Sequence, residues 1–247
     1  MRRVVIIGGA LAAVAAVLAA AGLLWFFSGD EPEAASVDAA LAKAASPSAT
    51  AAAASTVAPT ATVTATAAAS SDPAGTYQVA KGDSTFAGYR MKEELRGIGS
   101  NTAVGRSPDV TGSLTFDGKA ITATEINVSL ASLKSDDSRR DNFMQRSGLQ
   151  TQQFPTAKFV LMQPVAIASL PAEGQKVKFD ATGDFTLHGV TKRVTIPLEG
   201  ARQAGTVVVA GSLEIVLADY KIEKPQAPSV LSIEDKGAME FQIVFRK

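Results

Sequence analysis

The side chains in this sequence that could do chemistry are few and scattered. His188 is the only histidine in 247 residues and there is no cysteine. A catalytic triad, a histidine metal cluster or a general base would have to use that one imidazole. It stands beside Gly189 in a turn context, and the expectation is a solvent-exposed turn residue. Asp136, Asp137 and Asp141 form an acidic cluster, but it lacks the glycine and distal glutamate of a calcium loop, so it reads as a solvated acidic loop. Arg140 and Asp141 are adjacent opposite charges. They are candidates for a polar clamp on a ligand headgroup, or for a buried pair that pins a helix to its neighbours. No nucleophile–base pair, metal-ligand spacing or phosphate loop is present, and an enzyme is not expected.

The richer signal is apolar. Phe86, Leu114, Phe116, Val128, Leu130, Phe159, Phe179, Phe185, Leu213 and Phe241 are read as the inward faces of strands and as candidates to line a ligand cavity. The clearest element is 177–187, where Val177, Phe179, Ala181, Gly183, Phe185 and Leu187 alternate with polar residues. Period-two alternation marks a strand with one buried face. The same period runs through 113–116, 125–130, 194–198 and 213–217, and puts Met239, Phe241, Ile243 and Phe245 on one face of the last strand. Asp117-Gly118 predicts a hairpin turn, Gly200 and Gly205 bracket another connection, and His188-Gly189 separates two strands. Only 136–149 breaks the period, and it predicts a short surface helix and loop. The stretch 92–108 is Gly-rich and is expected to be a lid or mouth loop.

Many one-sided strands joined by short turns imply antiparallel sheet. About eight strands over 76–247 suit an all-β closed barrel or a sandwich. A barrel of that size either fills with side chains or holds one small ligand, and periodicity does not separate these outcomes. This part is near neutral, with 21 Lys+Arg against 19 Asp+Glu after Gly75, which excludes the basic footprint of a nucleic-acid binder.

Three segments precede it. Met1-Arg2-Arg3 is a cytoplasmic N-terminus by the positive-inside rule. Residues 4–27 are uncharged and apolar, giving a helix of about 36 Å that spans a bilayer core of roughly 30 Å. Trp25, Phe26 and Phe27 end it where aromatics favour the interface. The expectation is a transmembrane anchor (or an uncleaved signal), the domain following it lying outside the cytoplasm; the alternative is a signal peptide cut in the Ala-rich stretch, leaving a secreted or periplasmic domain. Without cysteine, a lipidated N-terminal cysteine is excluded. Residues 28–75 are Ala, Ser, Thr and Pro with few large apolar residues, and are expected to be a disordered linker with an end-to-end distance of roughly 40 Å.

Five stretches in order carry a resemblance: Gly75–Val79 with Ser84–Phe86, Val110–Phe116 (VTGSLTF), Ser138–Asp141 (SRRD), Phe154–Phe159 (FPTAKF) and Gly183–Lys192 (GDFTLHGVTK). In these the domain 76–247 resembles the YceI-like family of bacterial exported proteins, also described as polyisoprenoid-binding. The resemblance implies a lipocalin-like antiparallel barrel with a short helix, whose interior takes an isoprenoid or similar chain lipid in the cell envelope. It implies no metal and no cofactor. The alternative function is a non-catalytic envelope interaction or structural module on a membrane stalk.

Overall fold

The computed structural model describes residues 31–45, 73–167, 170–225 and 228–247. The expected cytoplasmic N-terminus and anchor over 1–27, and the linker over 46–72, lie outside the described residues. Among the described residues no helix is long and apolar enough to cross a membrane.

The compact unit spans Ala34–Lys247. Its elements in chain order are α1 (Val37–Ala45), β1 (Gly75–Val79), β2 (Phe86–Leu95), β3 (Gly99–Ser107), β4 (Val110–Phe116), β5 (Ala120–Ser129), β6 (Lys134–Ser135), α2 (Ser138–Phe143), β7 (Thr156–Leu161), β8 (Val165–Ala166), β9 (Val177–Leu187), β10 (Val190–Gln203), β11 (Thr206–Val216), β12 (Val230–Ile233) and β13 (Lys236–Arg246). A single π-helical turn, Met144–Gly148, continues α2.

The strands close into an antiparallel barrel of eight positions in the order β1, β4, β5, β7, β9, β10, β11, β13. The ring shuts where Gln78 and Val79 pair with Arg246 and Phe245. The first two positions are interrupted strands. β1 and β2 both run along β13, with Ala87 opposite Phe241, while β3 and β4 follow them in turn. The stretch expected as a lid over 92–108 is therefore the paired β2–β3 hairpin. Glycine there serves packing: a Cβ on Gly105 would stand 2.4 Å from the Tyr89 ring.

Turn chemistry agrees with the sequence. Asp117 Oδ1 accepts from the backbone N–H groups of Lys119 and Ala120, closing the β4–β5 hairpin. His188-Gly189 and Ala204-Gly205 are two-residue connections with positive φ at both positions, the geometry that matches strand twist in a tight hairpin. Gly200 lies within β10, and the turn expected between Gly200 and Gly205 reduces to this pair. The helix expected over 136–149 forms as α2 plus the π turn, with Asp137 as N-cap accepting from Arg139 N.

The 28–75 linker, expected to be disordered, differs over Val37–Ala45. Ser36 Oγ accepts from Asp38 N, and the following Ala-Ala-Leu-Ala-Lys run is strongly helix-forming. The helix lies on the outer wall. Val37 and Ala40 are fully buried with Ala201, Val208, Ala210 and Val244. The N–H groups of Ala35 and Ser36 donate to Glu240 Oε2 at 3.2 Å and Gln242 Oε1 at 3.1 Å. Packing therefore offsets the chain entropy that composition alone counts against this segment.

Candidate functional site

Inside the ring the side chains form two clusters. One, around Tyr77, Leu114, Phe116, Ile243 and Phe245, fills the end that carries the β4–β5 turn. The other, around Leu130, Leu149, Phe185, Ile215 and Tyr220, lies toward α2. An apolar cavity of about 210 Å³ runs along both. One water needs about 10–15 Å³ of such space, so this is room for a molecule rather than a packing flaw. The barrel is hollow, a point that strand periodicity leaves open.

Seven of the ten candidate residues line the cavity: Leu114, Val128, Leu130, Phe159, Phe179, Phe185 and Phe241. Three do not. Phe86 points outward, where the Arg106 guanidinium stacks 3.9 Å from its ring centre. Its neighbour Ala87 takes the inward face, because successive strand residues face opposite ways. Phe116 packs in the cluster at the β4–β5 end without reaching the cavity. Leu213 shares the inward frame of Val209 and Ile215 but packs against the α2-end cluster instead of forming wall.

Glycines shape the wall as much as aromatics do. A Cβ on Gly183 would stand 2.4 Å from both the Phe159 ring and the Val160 carbonyl oxygen. The phenyl group of β7 thus lies flat across β9.

The α2 end of the cavity is polar. Arg140 and Glu93 are both among its lining residues, and their Nη2–Oε1 separation is 2.7 Å. Asn101 Nδ2 donates to the same Glu93 oxygen at 2.8 Å, and Arg140 also pairs with the exposed Asp136. Burial opposes the Arg140 charge, but the Glu93 and Asp136 carboxylates outweigh it and hold its pKa above the ordinary arginine value. Burial pushes the Tyr89 phenol up to about 12, so it is a neutral hydrogen-bonding group at physiological pH. Asp141 does not pair with Arg140. Its Oδ1 accepts from Ser135 N at 2.9 Å and Ser135 Oγ at 2.7 Å, which pins α2 to β6. The candidate clamp therefore divides into Arg140, which reaches the cavity, and Asp141, which is structural. The two side chains still meet at one hydroxyl: Ser135 Oγ lies 2.7 Å from Asp141 Oδ1 and 3.5 Å from Arg140 Nη1.

Sequence reasoning misses Tyr89 and Glu93 as site residues. Their signal is the inward frame Ala87, Tyr89, Met91, Glu93 of β2, in which a carboxylate sits on the buried face. Pro225 and Ile233 continue the lining, and they also wall a surface cleft with Lys224, Pro228, Val230 and Leu231. The cavity and the cleft thus share a wall at the α2 end of the barrel.

His188 is not the exposed residue expected. It is 6% exposed, its Nδ1 donates to the Tyr220 carbonyl at 2.9 Å, and Phe154 meets its ring edge-on at 4.6 Å. Its Nε2 is buried with no hydrogen-bond partner among the described residues. The imidazole acts as a bolt between the β9–β10 turn and the segment after β11.

A closed antiparallel ring of eight positions around an apolar hollow, polar at one end, defines an all-β barrel with an internal cavity. The chain belongs to the YceI-like domain family, whose model matches residues 77–245. A UPF0312 protein of Pseudomonas aeruginosa (strain LESB58) is 31% identical over 175 residues, covering 65% of this chain and 83% of that one. A UPF0312 protein of Photorhabdus laumondii is 32% identical over 134 residues, covering 53% of this chain and 64%, just under two thirds, of the relative. Among solved structures, a polyisoprenoid binding domain from Saccharophagus degradans, described as implicated in plant cell wall breakdown, superposes with a TM-score of 0.54 at 17% identity. The match covers 70% of this chain and 98% of that one, and it shows a shared fold. The family model begins at residue 77, so α1 is an addition outside the family domain.

Proposed function

We propose that this chain binds or carries a polyisoprenoid or related chain lipid in the interior of its barrel, outside the cytoplasm, with residues 4–27 holding it to the membrane. The observation that carries the reading is the continuous apolar cavity with a polar group at one end, which is the polarity of a chain lipid with a headgroup. The polyisoprenoid-binding description of the Saccharophagus degradans domain, which has this fold, supports it. Each buried CH₂ contributes about 0.8 kcal/mol relative to water. A lipid's alternative is a bilayer, so the net exchange is far smaller and suits reversible carriage.

The polar end also selects. Arg140 already has Glu93 and Asp136 as partners, so an anionic headgroup would meet two carboxylates beside one guanidinium. An uncharged hydroxyl or carbonyl headgroup fits the Arg140 and Tyr89 donors, which line the cavity, without that repulsion. Arg2 and Arg3, placed before the apolar run, support export of the barrel domain.

Native mass spectrometry of the full chain, extracted in mild detergent, tests the reading. A retained adduct with the mass of an uncharged chain lipid is expected. A bare polypeptide that also takes up no polyprenol on incubation would refute it.

A further inference from the structure

Among the described residues the two most exposed large apolar side chains are Ile98, at 57%, and Leu231, at 54%. Single apolar residues on a surface are ordinary, but these two share one strand end. Ile98 stands in the turn between β2 and β3. β12 runs alongside, with Val230 opposite Leu95, and Arg96 N donates to the Ser229 carbonyl at 2.9 Å. Leu231 occupies the irregularity between Val230 and Ser232, where an extra residue leaves the ladder.

This tip borders the α2 end of the cavity. Leu231 walls the surface cleft that shares Pro225 and Ile233 with the cavity. The exposed charges around it are mixed, with Lys92, Arg96 and Lys224 near Glu223 and Glu234, so attraction to a partner is apolar rather than electrostatic. Two side chains on a narrow turn fall far short of the roughly 1,200–2,000 Å² buried by a stable protein interface. They are enough for shallow insertion into a lipid surface.

We infer that the Ile98–Leu231 tip docks on a lipid bilayer, setting this end of the cavity against the acyl layer and letting chain lipid enter there. This rests on the chain-lipid reading given above and names the surface at which loading occurs.

The absence of cysteine from the whole chain allows single-site labelling. Full-length Ile98→Cys and Leu231→Cys, each carrying an environment-sensitive fluorophore, are reconstituted in phosphatidylcholine–phosphatidylglycerol vesicles containing a doxyl-lipid quencher. Lys119→Cys, in the β4–β5 turn at the far end, is the reference. Severalfold stronger quenching at 98 and 231 than at 119 is expected, and equal quenching at all three sites overturns the inference. In a second arm, Ile98→Asp is expected to slow transfer of a fluorescent polyprenol from donor vesicles at least about tenfold, the scale of moving one large apolar side chain from lipid to water. Unchanged transfer also overturns it. Failure of the wild-type chain to take up polyprenol refutes the carrier reading instead, and the quenching comparison still decides whether the tip inserts.

Discussion

Arg140 on α2 and Glu93 on β2 meet at 2.7 Å, with side chains 15% and 5% exposed, across the polar end of an otherwise apolar cavity. The pair joins the helix to the inner face of a strand and presents the barrel's interior with a charge already balanced.

Removing the cation alone leaves a carboxylate buried. Arg140→Met is expected to lower stability by about 3–5 kcal/mol, the cost of an uncompensated buried charge. Glu93→Gln is expected to cost less, because Asp136 still faces the guanidinium. Urea midpoints of the two variants check the order, and equal midpoints would show that the pair is not the local support.

Tyr89 gives a pH dependence with a definite sign. Its folded pKa of about 12 lies above the unfolded value near 10, so its contribution is complete below pH 10 and is lost as pH rises toward 12. At about 1.36 kcal/mol per pKa unit the loss is roughly 2–3 kcal/mol. Tyr220 is also raised by burial, so the comparison is with Tyr89→Phe. That variant should show a shallower fall between pH 10 and 12 in urea unfolding.

Filling the hollow should expel ligand without unfolding the ring. Ala181 lines the cavity from β9. Ala181→Trp adds a ring to open space instead of to packed core, so its cost should stay at or below the usual ~1–3 kcal/mol of overpacking. Lipid adducts in native mass spectrometry are expected to fall at least about tenfold, with the circular dichroism spectrum retained.

The outer strap can be loosened by itself. Val37 is fully buried between α1 and the wall, and Val37→Asp would bury a carboxylate there. Amide exchange over 37–45 is expected to rise to the rate of an open chain, while the β9 and β10 amides stay protected. Unchanged protection over 37–45 would contradict the packing described.

How much the sequence reveals depends on how many independent cues agree. β9 alternates for eleven residues, so Phe179 and Phe185 are legible as inward, and both line the cavity. At β2 the cues conflict. Phe86 is the conspicuous residue, yet the inward frame begins on small Ala87 and includes Glu93, which hydrophobicity alone scores as outward. α1 has a signal in its receptor rather than in itself. The run Val207-Val208-Val209-Ala210 is apolar on both faces, which marks a strand covered on both sides. His188 is misread from sequence because a tight turn usually faces water, and nothing local shows that the segment after β11 folds over it. Hollow or filled is illegible because it depends on how aromatic rings lie over Gly105 and Gly183, a matter of close approach across strands.

The strap also changes how the molecule bears load. Because Ala35 and Ser36 are fastened to β13 and β1 begins only at Gly75, a pull on the N-terminal side acts first on α1 and its two side-chain sockets, Glu240 and Gln242. The barrel seam is shielded until that contact peels. The strap thus acts as a mechanical fuse, which yields ahead of the ring that holds the cavity closed.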